Sequence, residues 1–175
     1  MSAVLVLKMV PDEQIAALLA LPLPERLERY LPENVVTAEA RTDIDVAWQA
    51  LHVLLTGTLQ GGEPPASYLL TGGTVIGPSV LAPRRDAIPS GLGEIDRALT
   101  SREVAAFHAH LTAISDAAFR RRVRRLYPRL GEAYPGIWRD DPDGDAAYLL
   151  RHFRALKRFV GEARRRGLGL LLHFA

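Results

Sequence analysis

Residues 42–57 form the stretch TDIDVAWQALHVLLTG, an apolar segment whose spacing decides how the rest of the chain is organised. Thr42, followed three residues later by Asp45, has the spacing of a capping box, and Gly57 is a typical residue at a helix end. The pattern therefore predicts one helix over residues 42–56. Because its apolar side chains cover most of its circumference, we expect this helix to be enclosed by the rest of a globule.

Three polar side chains share one side of this predicted helix. At helical spacing, Asp45, Gln49 and His52 lie within about 60° of one another, and Trp48 borders them. A polar stripe on so apolar a helix faces solvent, a wet pocket or hydrogen-bond partners inside the protein.

Two interpretations of the stripe remain open. In the structural interpretation, which we favour, Asp45 caps its own helix, while His52 and Trp48 belong to the core. In the functional interpretation, Asp45, Gln49 and His52 line a pocket floored by Trp48, where His52 can move a proton near neutral pH.

Strand and helix patterns flank this segment and indicate the fold class. Apolar, β-rich runs predict strands over residues 3–10, 66–70 and 168–174, with a short strand after Gly72-Gly73. Helical patterns occur over residues 12–21, 24–31, 101–114, 115–126 and 146–166. We therefore expect a single α+β domain over residues 1–175. Its small sheet, mainly antiparallel or mixed, would combine the N-terminal, middle and C-terminal strands and pack with four or five helices.

The connections between these elements carry their own signals. Thr100 and Glu103 have the spacing of a capping box, which fixes the start of the following helix. Residues 78–98 contain several prolines and glycines and predict a long irregular connection, and residues 127–145 predict another loop. The run DDPDGD, residues 140–145, lacks the residue order of a calcium loop, so we interpret it as a turn followed by an N-cap at Asp143 or Asp145.

Composition and terminal sequence exclude several classes of protein. Apolar residues make up 48% of the 175 residues and charged residues 24%, which is ordinary globular composition. The chain has no cysteine, so disulfides and thiolate chemistry are excluded. The short apolar run at the start is followed by acidic residues, unlike a signal peptide. No stretch approaches the roughly 20 apolar residues of a membrane span. We expect a cytoplasmic protein without a membrane partner.

Motifs for catalysis, metal binding or cofactor binding are missing from the sequence. The five histidines include no His-Glu-x-x-His motif, and His108 and His110 are two residues apart on a predicted helix, so they face different ways. The chain also lacks the nucleophile and phosphate-loop motifs that would indicate hydrolase or nucleotide chemistry. We therefore predict no metal, no cofactor and no catalytic residue, and the sequence leaves enzymatic activity undecided.

Charge is distributed unevenly along the chain. Residues 1–90 contain 6 basic and 10 acidic residues, and residues 91–175 contain 16 and 10, giving −4 and +6. The densest basic cluster comprises Arg120, Arg121, Arg122, Arg124 and Arg125. These side chains could bind phosphate, nucleic acid or an acidic protein surface, but no interleaved aromatic residues accompany them. We favour solubility and salt bridges to the acidic N-terminal half.

Several segments together resemble the YfbM-like family of uncharacterised bacterial proteins. The matching pieces are DIDVAWQALHVLLTG, ALTSREVAAFHAHL, YPGIW at residues 134–138, and YLLRHF with its long helix and the final LGLLLHF. The resemblance implies a compact α+β domain and implies no activity. Within YPGIW, Trp138 is expected to plug the end of the core, with a position on the wall of a cleft near Trp48 as the alternative.

Two classes of function follow from these observations. The first is a small non-catalytic interaction protein that binds another protein. The second is a small-molecule binder or enzyme whose pocket is lined by Asp45, Trp48, Gln49 and His52, with Trp138 nearby. A stripe buried against other elements, with all its polar atoms paired, favours the first class or neither, and a concave, partly wet pocket with His52 at its wall favours the second.

Overall fold

Five strands form one antiparallel sheet in the order β2-β1-β5-β4-β3. This computed structural model describes residues 3–23, 25–26, 40–78 and 95–174. The strands are β1 (Leu5–Val10), β2 (Arg41–Asp43), β3 (Thr74–Pro78), β4 (Ile95–Leu99) and β5 (Gly169–Phe174).

The centre of the sheet is the pairing of β1 with β5, which runs in register from Leu5 opposite Phe174 to Val10 opposite Gly169. All six residues of each strand are buried. A strand buried on both faces is expected to be a nearly continuous apolar run, and both sequences have that form.

Five helices have defined bounds: α1 (Asp12–Leu19), α2 (Trp48–Thr56), α3 (Ser101–Thr112), α4 (Asp116–Leu130) and α5 (Pro142–Arg165). The capping box predicted at Thr100 is present, with the Glu103 N–H donating to the Thr100 hydroxyl and the Glu103 carboxylate accepting from the Thr100 N–H. The C-terminal end of α2 is followed by Gly57 in the left-handed conformation, as predicted.

The two faces of the sheet are covered differently. Leu5, Leu7 and Met9 of β1 belong to the main core, together with apolar residues of α2, α3, α4 and α5. The second face packs on α1, where Ile15 meets Val10 and residues of the neighbouring strands. The predicted α+β class is thus confirmed, and the sheet is antiparallel between all paired strands.

The start of α2, the helix predicted over residues 42–56, was predicted wrongly. Thr42 is not a cap but the middle residue of β2, where it lies opposite Leu7 of β1. Asp45 follows with φ of 50°, a conformation that a right-handed helix does not contain, and the α-helix begins only at Trp48. A short 3-10 helix, Asp45–Ala47, lies between β2 and α2. Strand pairing with β1 therefore overrides the local capping pattern.

The middle of the chain also differs from the prediction. Residues predicted as a strand form a 3-10 helix, Ala66–Leu69, because the Ser67 carbonyl accepts three successive N–H groups and satisfies the turn locally. The strand lies just beyond, at β3, and its partner β4 falls inside the segment predicted to be irregular. The rest of that segment, residues 79–94, lies outside the described residues, as does most of the helix predicted over residues 24–31.

Two helix boundaries near the C-terminal end need correction. Helix α4 continues past Leu126 to Leu130 and contains Pro128 in its last turn. The N-cap of α5 is Asp141, whose carboxylate accepts from the Gly144 N–H at 2.9 Å, instead of Asp143 or Asp145. Pro142 then occupies the first helical position, where its missing N–H costs no hydrogen bond. Within the described ranges, no helix combines the length and apolar composition needed to cross a membrane.

Candidate functional site

Helix α2 is enclosed over almost its whole length, with every residue from Trp48 to Leu55 buried. The Trp48 side chain is 0% exposed, and its indole N–H donates to the Ala3 carbonyl at 3.0 Å. Its ring stacks on Tyr134 at 5.3 Å between centroids and meets Phe174 edge-on at 5.0 Å. Trp48 therefore joins the helix to the sheet and to the loop after α4.

Gln49 is a second cross-link from the same helix. Its side chain is 2% exposed, and both ends of the amide are hydrogen-bonded. The oxygen accepts from the Tyr134 N–H at 2.6 Å, and the nitrogen donates to the Leu59 carbonyl at 3.3 Å. With its polar atoms occupied inside the protein, Gln49 holds two loops against α2.

His52 is the member of the stripe without conventional partners. Its side chain is 0% exposed, and neither ring nitrogen makes a hydrogen bond of normal geometry with any residue that the structure describes. Burial lowers the pKa of His52 to about 4, and the nearby Gly61 backbone opposes part of this change. The imidazole is thus neutral at pH 7, and the residues around it keep it from solvent.

Asp45 does not share a helix face with Gln49 and His52, because it precedes α2. Its carboxylate faces α5 instead, where it accepts from the Tyr148 hydroxyl at 2.7 Å. Burial, followed by this hydrogen bond, raises the pKa of Tyr148. The hydrogen bond holds Asp45 in its left-handed conformation, which aspartate tolerates better than most residues.

A group of partly exposed polar side chains surrounds this contact. The His152 ring lies 4.5 Å from the Tyr148 ring, and the Arg151 guanidinium lies 5.2 Å from the same ring. Burial and then Arg151 lower the pKa of His152, whereas Asp45 and Asp43 act in the opposite direction. The structure thus brings Asp45 together with Tyr148 and His152, two residues that the sequence did not indicate as its partners.

Trp138 is buried at the other side of Tyr148. Its side chain is 2% exposed, its indole N–H donates to the Tyr134 carbonyl at 3.2 Å, and its ring lies 5.7 Å from that of Tyr148. A cleft of about 320 Å³ adjoins it, between the end of α4 and the loop that contains Arg139. Trp138 and Trp48 are connected through Tyr134 and do not face one another across a common pocket in the described residues.

The second face of the sheet holds a polar group that the sequence analysis missed. Lys8, Asp96 and His173 are buried and alternate with the apolar residues that pack on α1. Burial, followed by the charges of Lys8 and Arg41, lowers the pKa of His173 to about 3. None of the three lacks a partner. The available signal was a single polar residue, Lys8 or His173, within each of two otherwise apolar runs.

The arginines of α4 fall into two groups that the sequence could not separate. Arg122 donates to the Leu54 carbonyl at 3.2 Å and Arg129 to the Gly57 carbonyl at 2.6 Å, so both bind the C-terminal end of α2. The side chains of the others are exposed and make no hydrogen bond or ion pair with any described residue; these residues are Arg120, Arg121, Arg124 and Arg125. We call these four residues the arginine face.

These positions offer binding chemistry more readily than catalysis. Tyr148 keeps its proton and donates a hydrogen bond to the Asp45 carboxylate, and His52 is shielded from solvent, so neither is placed to act as a base on an external molecule. In the part of the chain that the structure describes, no three histidine or carboxylate side chains lie close enough together to hold a metal ion.

The architecture and the site define an α+β domain built around a buried helix, and the comparisons with known proteins agree. The model of the family described as Domain of unknown function (DUF1877) matches residues 1–173, so the chain belongs to this family. A solved structure, described as that of a protein of unknown function, YfbM from Escherichia coli, is similar with a TM-score of 0.65. The match covers 98% of this chain and 99% of that chain at 20% identity, which shows a common fold. No curated protein matches the chain.

The resemblance to YfbM-like proteins is therefore confirmed. Neither description assigns a function, so the function remains unknown.

The contact between Asp45 and Tyr148 can be tested by a double-mutant cycle. Tyr148→Phe and Asp45→Ala should each lower the free energy of unfolding. The double variant should lose about 1.5 kcal/mol less than the sum of the two single losses, because each substitution removes the same charge-assisted hydrogen bond. Urea unfolding of both single variants and the double variant measures this coupling. Tyr127→Phe, which removes an equivalent hydrogen bond to Asp145, is the matched control and should be additive with Asp45→Ala. If the effects of Tyr148→Phe and Asp45→Ala were additive, the hydrogen bond between Tyr148 and Asp45 would be contradicted.

Proposed function

We propose that this domain is a non-catalytic interaction protein and that its arginine face binds an acidic surface of another protein. The observation that carries the proposal is the set of four exposed arginines on two successive turns of α4, whose side chains form no ion pair with a described residue, although the charge of Arg120 acts on the Asp116 carboxylate. Unpaired charges of one sign at this density create a local positive potential that attracts acidic partners.

The ion pairs within the described residues support an external partner. They join Arg154 to Asp116 and Arg165 to Glu162, so both lie in the C-terminal half of the chain. Salt bridges from the arginine face to the acidic N-terminal half, which we expected from the sequence, do not occur among the described residues. Within the described ranges, no ion pair neutralises the positive charge of this face, which supports a partner outside the fold.

A protein partner fits this surface better than nucleic acid. The arginine face spans only six residues of one helix, and no aromatic side chain on its exposed side provides a platform on which bases could stack. Arginine is also enriched in the cores of protein interfaces, because its planar guanidinium can bind carboxylates through two parallel hydrogen bonds.

The small-molecule alternative is supported by one observation, the ring nitrogens of His52, which make no hydrogen bond of normal geometry with a described residue. The side chain is fully buried, and Gln49 beside it already has both amide ends hydrogen-bonded. A ligand at the stripe would need to displace the residues that cover His52, so the exposed arginine face is the better-supported surface.

The proposal predicts binding to an acidic polypeptide that depends on particular arginines. Wild-type protein should be retained on immobilised polyglutamate at low salt, and the double variant Arg121→Gln/Arg124→Gln should bind about tenfold more weakly. The matched control, Arg158→Gln/Arg164→Gln, removes the same charge from another exposed position on α5 and should bind like the wild type. Arg122 is left unchanged because it binds the Leu54 carbonyl.

Two results would contradict this proposal. Equal weakening of binding by both double variants would mean that net charge alone governs retention. Tighter binding to duplex DNA than to polyglutamate at the same ionic strength would identify nucleic acid as the preferred partner.

A further inference from the structure

A groove of about 660 Å³ borders the C-terminal half of α5, and none of its lining residues belongs to the arginine face. Its basic lining residues are Lys157, Arg158, Arg164, Arg165 and His108, and its acidic one is Glu162. With His108 neutral, four positive charges face one negative charge, which leaves a net charge of +3. The volume falls within the range of about 300–1,000 Å³ that is typical of sites for small molecules.

Two of these cations have no partner within the described residues. Arg165 is paired with Glu162, and the Lys157 ammonium donates to the Ile114 carbonyl at 3.0 Å. The side chains of Arg158 and Arg164 are exposed and make no hydrogen bond or ion pair with any described residue. Their guanidinium groups therefore retain all their donors for a molecule that enters the groove.

Gly161 opens the helix surface between these two arginines, which lie three residues before and three residues after it. Because Gly161 has no side chain, the His108 ring of α3 can lie against the backbone of α5, and a Cβ at this position would be only 3.0 Å from His108 Nε2. The gap between Arg158 and Arg164 is thus filled from the side by an imidazole ring.

The helix dipole alone does not account for this arrangement. Cations are favoured within the last turn of a helix, which explains Arg164 and Arg165. Lys157 and Arg158 lie two turns from the end of α5, beyond the reach of that effect. The repulsion between these positive charges also acts on His108, whose pKa is lowered by burial and then by Arg164 and Lys157. An anion in the groove would relieve this repulsion.

We propose that the groove binds a small phosphate-bearing molecule, held by Arg158 and Arg164 with Lys157 and His108 beside it. Guanidinium groups bind phosphate oxygens through paired hydrogen bonds, and a net charge of +3 matches a ligand with more than one negative charge. The half-buried Phe159 and the buried Met9 supply an apolar wall for the rest of such a molecule. This proposal does not rest on the proposed protein contact, because it uses a different set of residues.

Pyrophosphate is the probe for this site, and binding can be measured by calorimetry and by NMR of the His108 ring. Saturable binding with a dissociation constant below about 1 mM is expected, together with an upward shift of the His108 pKa, because the bound charge offsets Arg164 and Lys157. Arg158→Gln/Arg164→Gln should weaken binding at least tenfold and abolish the shift. Arg121→Gln/Arg124→Gln, the matched control on α4, should leave both unchanged.

Other probes and outcomes separate this proposal from its alternatives. Citrate, which carries carboxylates, should bind more weakly than pyrophosphate. Three results would overturn the proposal. They are the absence of saturable pyrophosphate binding, an equal loss of pyrophosphate binding in both double variants, and tighter binding of a single-stranded oligonucleotide than of pyrophosphate. Because the same two variants have opposite expected effects on pyrophosphate and on polyglutamate, failure of one proposal can be distinguished from failure of the other.

Discussion

Replacing Trp48 by alanine is expected to lower the free energy of unfolding by about 4 kcal/mol, the largest effect of a single substitution that we predict. The indole is fully buried, so its removal leaves a large cavity, and substitutions of this kind cost about 3–5 kcal/mol. The change also leaves the Ala3 carbonyl without its donor and removes the ring contacts with Tyr134 and Phe174. Urea unfolding at pH 7 measures the loss.

Two further variants make this measurement specific. Trp48→Phe keeps an aromatic ring but not the hydrogen bond, so it should cost about half as much as alanine. Ile137→Ala is the control, because the Ile137 side chain is 56% exposed and its removal should change stability by less than about 0.5 kcal/mol. A loss of less than about 1 kcal/mol for Trp48→Ala would mean that α2 is not enclosed as described.

Acidification is expected to destabilise the protein by about 3 kcal/mol through His52 alone. The pKa of His52 is about 4 in the folded protein and about 6.5 when exposed, so the unfolded chain takes up a proton first as the pH falls. The contribution of His52 is therefore fully present above about pH 6.5 and is lost progressively down to about pH 4. The difference of about 2.5 pKa units corresponds to the stated free energy.

The measurement compares unfolding of wild type and His52→Leu at about pH 7 and about pH 4. Between these two pH values, the free energy of unfolding of the variant should fall by about 3 kcal/mol less than that of the wild type, since leucine carries no titrating group. His173, whose pKa is also lowered, remains in both proteins and contributes equally to both. An NMR titration in which His52 protonates near pH 6.5, or equal pH dependence of the two proteins, would contradict the burial of a neutral imidazole.

Some of this fold was predictable from local sequence because a local cause determines it. The runs that become β1 and β5 are apolar except for Lys8 and His173, and strands buried on both faces are expected to be nearly continuous apolar runs. The start of α3 follows from the reciprocal hydrogen bonds of Thr100 and Glu103, which need no tertiary contact. The end of α2 follows from Gly57, which adopts a positive φ without strain.

Other features depend on residues distant in the chain and could not be predicted in this way. Thr42 has the sequence of a helix cap but pairs with β1, and only the tertiary fold decides between the two. The hydrogen bond from Tyr148 to Asp45 joins residues 103 positions apart. Strand β4, IDRAL, has no apolar alternation and becomes a strand because it lies between β3 and β5. The candidate site is assembled mainly from such distant contacts.

The central position of β5 has a consequence for biosynthesis. During translation, β1 emerges from the ribosome long before its partner β5, which is among the last segments of the domain to be made. Until β5 arrives, the inner edges of β1 and β4 have no neighbouring strand between them, and exposed strand edges promote aggregation. The nascent chain is therefore expected to need protection by a chaperone until β5 has left the exit tunnel.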